Sequence, residues 1–284
     1  MDFLQTNKKQ IVKENGTPFY LRGLCVGGWM NMENFINGYP GTEISLREHV
    51  CSRLGDERGT LFFDSMLAAF LSEEDIRFIR SNGATCIRVA LNYRHFEDDE
   101  APFTYKEKGF AMLQELVSRC EAHDLYVIFD MHAVQGWQNT HWHSDNDRGI
   151  SLFWRDTCYQ NRYYALMQEI ARRFKDCPAV AGYELFNEPS SNCRSGDYPF
   201  NMYENFTSDY TRFNRIVRTA VSKIREIDRK HIIFIEGDSY GHNFAGMEEP
   251  FDDNLVYASH DYIVSSFGPG AYPGTYEMLH NDRI

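Results

Sequence analysis

The sequence predicts an α/β fold of the (β/α)-barrel type, and three observations carry that prediction. Strand-like runs alternate with helix-like stretches over most of the chain. The runs are continuously apolar and rich in β-branched residues instead of alternating, as strands buried on both faces must be. Each run also ends, on its C-terminal side, in polar or ionisable residues. Strand, helix, strand in strict succession means parallel βαβ units within one domain, and in a parallel barrel the strands' C-terminal ends converge on one face.

The elements follow in order. QIVKENGTPFYLRG alternates around Asn15-Gly16, a dipeptide that supplies the positive φ of a tight turn, so a β-hairpin precedes the main fold. LRGLCVGG is the first buried strand, and the excursion through residues 30 to 71 is too long for a simple connection and should be partly helical. Ser72 caps the next helix with Asp75 in the capping-box position, Ile76 and Ile79 face inward, and Asn82-Gly83 ends it. CIRVAL is the second strand; a helix over 106–123 leads to YVIFDMH, one over 159–175 to VAGYELFNEP, and one over 203–228 to HIIFIEGD, before LVYASHDY. The acidic run Glu97-Asp98-Asp99-Glu100 reads as a solvated loop. With no linker, low-complexity tract or short-period repeat, residues 1–284 form one domain.

Composition narrows the partners. A chain of 284 residues with 43% hydrophobic content can bury a sizeable core. A net charge of −12 and a pI near 5.3 argue against nucleic acid, whose binders need clustered Lys and Arg. Aromatic residues at 15% suit a surface that stacks flat ring faces, and equally an ordinary large core. The seven cysteines stand singly, without a CxxC pair, as reduced thiols of a cytoplasmic protein do. The N-terminal MDFLQTNKKQ lacks the apolar stretch of a signal peptide, and no run approaches the roughly 18 apolar residues of a membrane span. A soluble protein acting on a neutral or weakly charged ligand, away from membranes, is the expectation.

The candidate site lies at the strand ends. Arg88 and Asn92 mark the second strand, Asp130 and His132 the third, Asn187 and Glu188 the fourth, Glu236 and Asp238 the fifth, His260 and Tyr262 the sixth. Singly, Arg88 has a second reading as a buried structural ion pair, and His132 reads equally as a core histidine bonded to backbone; it is their convergence that points to a site. Asn187-Glu188-Pro189 is the sharpest motif: a carboxylate beside an amide able to bind a hydroxyl, before a proline that stops the strand. Glycoside cleavage needs such an acid to protonate the departing oxygen, and for retention a second carboxylate about 5 to 5.5 Å away.

Through YELFNEP, DMHAVQGWQN, CIRVALNY, LRGLCVGGWMNMENFINGYPG and SHDY, from about Ile11 to the C-terminus, the chain resembles glycoside hydrolase family five, the cellulase family. The resemblance implies a TIM-type barrel, hydrolysis of β-linked glucans or related β-glycans, and no cofactor or metal. It implies Glu188 as acid/base, Asn187 on the sugar hydroxyl next to the scissile bond, Arg88 supporting the nucleophile and His132 lining the adjoining subsite. His260 and Tyr262 would lie near the catalytic pair, with Trp29 and Trp137 as sugar-stacking platforms or else rim or core aromatics. The family's nucleophile, a second Glu ending a seventh strand, has no counterpart here. The sequence thus predicts an incomplete barrel of about six of the eight βα units, with Glu236 either a substitute catalytic carboxylate or a substrate-contact or structural Glu. Open barrel edges predict a homo-oligomer. Two alternatives remain: a noncatalytic carbohydrate-binding remnant, and a metal-dependent hydrolase using His141-Trp142-His143, which no apolar strand leads into.

Overall fold

The computed structural model describes residues 1–192 and 208–260. Two short antiparallel strands, β1 (Gln5–Asn7) and β2 (Gln10–Val12), open the chain. The main sheet comprises β3 (Gly23–Val26), β4 (Cys86–Asn92), β7 (Tyr126–Ala133), β8 (Val180–Glu184), β9 (Ile232–Glu236) and β10 (Leu255–Ala258). A two-stranded ribbon, β5 (Glu97–Asp98) and β6 (Ala101–Tyr105), lies between β4 and β7 in sequence. All neighbouring pairs of the six-stranded sheet are parallel, in the order β3-β4-β7-β8-β9-β10, so each predicted strand sits beside its successor. Helices α1 (Asn34–Asn37), α2 (Glu43–Leu54) and α3 (Asp56–Ala69) fill the long excursion. The connecting helices are α4 (Glu73–Ser81), α5 (Glu107–Ala122), α6 (Thr157–Phe174) and α7 (Tyr210–Arg225), and α8 (Asp238–Gly241) follows β9. Among the described residues no helix is long and apolar enough to cross a membrane.

Local chemistry sets these boundaries. Ser72 and Asp75 form the reciprocal capping box at the start of α4, satisfying two N–H groups that the first turn leaves open. Ile76 is fully buried, Ile79 packs against the core, and Gly83 leaves the helix at φ 87, a conformation a side chain would resist.

The alternation of side chains along the strands divides the interior in two. Ile87, Val89 and Leu91 of β4, Val127, Phe129 and Met131 of β7, and Ile233 and Ile235 of β9 join the large core shared with the helices. Cys86, Ile128, Ile232 and Phe234 face the other way, in a smaller cluster closed by Leu4, Ile11, Phe19 and Leu21 of the N-terminal segment. The first segment thus plugs the end of the sheet opposite the polar strand ends.

Two expectations are corrected. The regular N-terminal ribbon turns at Lys8-Lys9, with Lys8 at φ 55; the Asn15-Gly16 turn forms, but beyond it only Val12 and Pro18 make a bridge. The acidic run is solvated only in part: Asp98, Asp99 and Glu100 are exposed, but its first residue is not. Glu97 is fully buried against Arg162, whose guanidinium also reaches Asp99 at 3.0 Å, because β5 pairs with β6 and turns that carboxylate inward.

Candidate active site

Strand parity assembles the site. Arg88 follows Cys86 on the inner side of β4, Asp130 and His132 follow Ile128 on β7, and Glu236 follows Ile232 and Phe234 on β9. Register places Asp130 opposite Glu184, the last residue of β8. Each strand therefore lifts one or two charged groups above the same apolar floor.

The Arg88 guanidinium is the hub. It lies 3.0 Å from Asp130, 2.6 Å from Glu184 and 3.0 Å from Glu236, and donates to Asn187 Oδ1 at 2.9 Å. Burial opposes the Glu184 carboxylate, but Arg88 overrides it and holds that group down at about 2. Burial raises Glu236 well above the usual carboxylate range, and the neighbouring Glu184 adds to the rise, so the two crowded acids resist ionising together. On the opposite side, Asp130 Oδ2 meets His132 Nδ1 at 2.5 Å. Burial works against the His132 imidazolium, yet this carboxylate raises its pKa.

Glu188 stands above this floor with a left-handed backbone, φ 47. Its N–H donates to Glu236 Oε2 at 2.8 Å, and its carbonyl accepts from Asn139 Nδ2 at 2.8 Å, while Gln138 Nε2 donates to the carbonyl of Asn187 at 2.9 Å. The GWQN segment therefore braces the main chain of Asn187-Glu188. Each oxygen of the Glu188 carboxylate meets an imidazole: Oε1 is 2.8 Å from His260 Nδ1 and Oε2 is 3.3 Å from His143 Nε2. His260 Nε2 in turn lies 2.9 Å from Glu236, and Gly241 at φ 82 permits the approach, since a Cβ there would come within 3.0 Å of the His260 side chain.

Burial lowers His260's pKa, but its two carboxylate partners more than compensate and lift it to about 10. Burial raises Glu188, while His143 and His260 lower it, and the balance falls well below the usual carboxylate range. His143 is itself pushed down to about 3 by burial, so it contributes a neutral dipole; protonated His260 is the charge that holds Glu188 ionised.

Of the residues singled out in the sequence, Arg88, His132, Asn187, Glu188, Glu236 and His260 come together; Tyr262 lies outside the described residues. Trp29 and Trp137 do not present stacking faces. They are 3% and 8% exposed, and their Nε1 groups donate to the carbonyls of Leu67 and Asp145 at 2.9 Å, which fixes them as packing residues. The exposed aromatic beside the site is Phe35, 71% exposed, edge-on to Trp142 at 5.6 Å. Two partners escaped the sequence reading. Glu184 sits inside YELFNEP, four residues before Glu188, where strand parity could have found it. His143 reads in the sequence only as a candidate metal ligand.

Glu184, Glu236 and His260 bring ligand atoms within 4.8 Å of one another, a spacing that could hold a metal ion. The Arg88 guanidinium already lies against both carboxylates, so an added cation would meet a guanidinium and an imidazolium. The donor set does not suit a metal.

A parallel sheet bearing a crowded carboxylate and histidine cluster at its C-terminal strand ends has the layout of a (β/α)-barrel, whose sites gather at that face. The family model described as cellulase (glycosyl hydrolase family 5) matches residues 57–277, and the chain belongs to that family. A beta-xylosidase of Phanerodontia chrysosporium is 37% identical over 285 residues, covering 100% of this chain and 56% of the relative. Endoglucanase C of Acetivibrio thermocellus is 26% identical over 195 residues, covering 68% of this chain and 50% of its own length. The chain thus spans about half the length of these relatives. Among solved structures, rutinosidase from Aspergillus niger superposes with a TM-score of 0.67 at 19% identity, over 84% of this chain and 68% of that one, which supports the fold.

Proposed function

We propose that the chain hydrolyses β-glycosidic bonds in glucans or related β-glycans, with Glu188 as acid/base. The observation that carries this reading is the Glu188 carboxylate itself: partly exposed at a strand end, fixed by main-chain bonds on both sides, and touched on each oxygen by an imidazole. Asn187, oriented by Arg88, stands beside it to take a sugar hydroxyl, and His132 with Asp130 lines the floor next to Arg88. Phe35 and Trp142 replace Trp29 and Trp137 as the rings available to stack on a sugar face.

Glu236 takes a holding role in this reading instead of acting as nucleophile. It is enclosed, and its two oxygens are committed to Arg88, His260 and the Glu188 N–H. As long as protonated His260 holds Glu188 ionised, Glu188 acts as a base; acid duty requires a further negative charge brought near it, as a nucleophilic carboxylate provides.

Turnover of aryl β-glycosides tests the proposal. Activity should fall about 10²- to 10⁴-fold in Glu188→Gln. Saturable binding of β-glucan oligomers with no turnover in the unmodified chain would favour a noncatalytic carbohydrate-binding protein, and turnover unaffected by Glu188→Gln would remove Glu188 from the mechanism. We also propose self-association through β3, at the edge of the described sheet, where Leu24 is 47% exposed. A monomer mass by light scattering at micromolar concentration would reject that.

A further inference from the structure

We propose that His143 is a positioning residue for Glu188: a permanently neutral imidazole whose Nε2–H holds Oε2, opposite the protonated His260 on Oε1. The proposal rests on the reading of Glu188 as acid/base. His143 lies in the single turn Trp142–Ser144, and its ring is 7% exposed.

Its two nitrogens meet different surroundings. Nε2 is 3.3 Å from the Glu188 carboxylate, whereas Nδ1 is enclosed without a hydrogen-bond partner among the described residues. These facts fix the tautomer. An imidazolium would need an acceptor at Nδ1, and none lies among the described residues. A neutral ring carrying its proton on Nδ1 would bury that donor unpaired and turn a bare Nε2 lone pair against a carboxylate oxygen. The Nε2–H tautomer leaves only an unfilled lone pair, which costs less than a stranded donor or cation.

The groups facing the ring reinforce the neutral state. His132, His141 and Tyr240 surround it at ring-centre distances of 6.1, 5.5 and 6.3 Å. His132 and His260 both carry raised pKa values, and a further cation among them is disfavoured; Glu188 alone favours one. Burial, which lowers the His143 pKa to about 3, agrees with the geometry.

His260 shows the opposite case on the same carboxylate. Both of its nitrogens meet carboxyl oxygens, at 2.8 and 2.9 Å, an arrangement that favours the imidazolium with both donating. What the distal nitrogen meets therefore sets each ring's protonation: Glu236 for His260, an enclosure that offers no acceptor among the described residues for His143. A neutral His143 thus orients Glu188 without competing for its proton.

The test is NMR of the full chain with ¹⁵N-labelled histidine and ¹³C-carboxyl-labelled glutamate, the Glu188 signal being assigned by its loss in Glu188→Ala. His143 should show a protonated Nε2 and a bare Nδ1 throughout about pH 5 to 8. The Glu188 midpoint should rise by about one pH unit, tenfold in acidity, in His143→Phe and return most of the way in His143→Gln, whose amide supplies a neutral N–H. A cationic His143 in that range, or a Glu188 midpoint unmoved in His143→Phe, overturns the proposal. The tautomer measurement needs no variant, so a misfolded His143→Phe leaves it decisive. Nor does the readout need turnover: an inactive chain would count against the hydrolase reading and leave this test intact.

Discussion

Two ionic clusters share the interior of this chain, and they are assembled on different terms. In the first, Glu43, Glu97, Asp99 and Asp145 each meet an Arg or His partner, drawn from Arg47, Arg94, Arg162 and His95, at 2.6 to 3.3 Å. In the second, Asp130, Glu184 and Glu236 converge on the single guanidinium of Arg88, with Glu188 above them and His132 and His260 as the remaining bases. Matched charges tie loops and the α2 insertion to the sheet, and two acids crowd there at one point, Asp145 beside Glu43. Crowded carboxylates must share protons, and so keep a titratable group at a strand end. Surplus acid, not burial alone, separates a site from a strut.

The comparison breaks most visibly at Arg88. Arg88→Met strands three carboxylates and should lower stability by about 3 to 5 kcal/mol, read by urea unfolding. A loss below about 1 kcal/mol would mean that the acids do not depend on the guanidinium. Arg162→Met should cost less, about 3 kcal/mol, because Glu97 keeps Gln135 Nε2 at 2.7 Å and the Phe103 N–H at 2.5 Å. Adding Glu97→Gln should recover most of that loss, since a matched pair can be neutralised from both sides; additive losses would show that this cluster, too, is more than a strut.

Proton linkage sharpens the contrast further. Burial, and then Glu43, raise Asp145 from 3.8 to about 6, the one place in the matched network where two acids crowd, across Asn92 Nδ2. The folded state then holds that proton more tightly than the unfolded state. Its contribution to stability therefore falls as pH rises from 3.8 to about 6, by at most about 1.4 kcal/mol per pH unit, and Asp145→Asn should remove this slope. His260 titrates elsewhere. Raised from 6.5 to about 10, its contribution is complete below 6.5 and lost as pH climbs towards 10, and His260→Gln should flatten that alkaline limb. Unfolding midpoints from pH 4 to 10 separate the two. The smallest effect belongs to a position outside both clusters: Ser72→Ala should cost about 1 kcal/mol, with little pH dependence over that range.

Much of this was legible before any coordinates. The six parallel strands follow from apolar runs separated by helices, and the α4 cap from Ser72 and Asp75, because these are local chemistry. The meeting of Arg88, His132, Asn187, Glu188, Glu236 and His260 follows from strand ends on one face. What escaped depends on contacts between distant segments. Glu97 reads as solvated because its partner Arg162 is 65 residues away, and Trp29 and Trp137 stay open between platform and core ring because nothing local reveals that Leu67 and Asp145 take their N–H groups. His143 reaches Glu188 through a loop with no periodic pattern to read.

The left-handed backbone of Glu188 has one more effect. Its N–H is anchored by Glu236, a side chain from the neighbouring strand whose own protonation is shared with Glu184. Glu236→Leu would take this anchor away together with the distal partner of His260, and free the main chain to relax and swing the carboxylate away from both imidazoles. The aim of the proton therefore hangs on a side chain of the next strand as much as on the strand end that carries the acid/base.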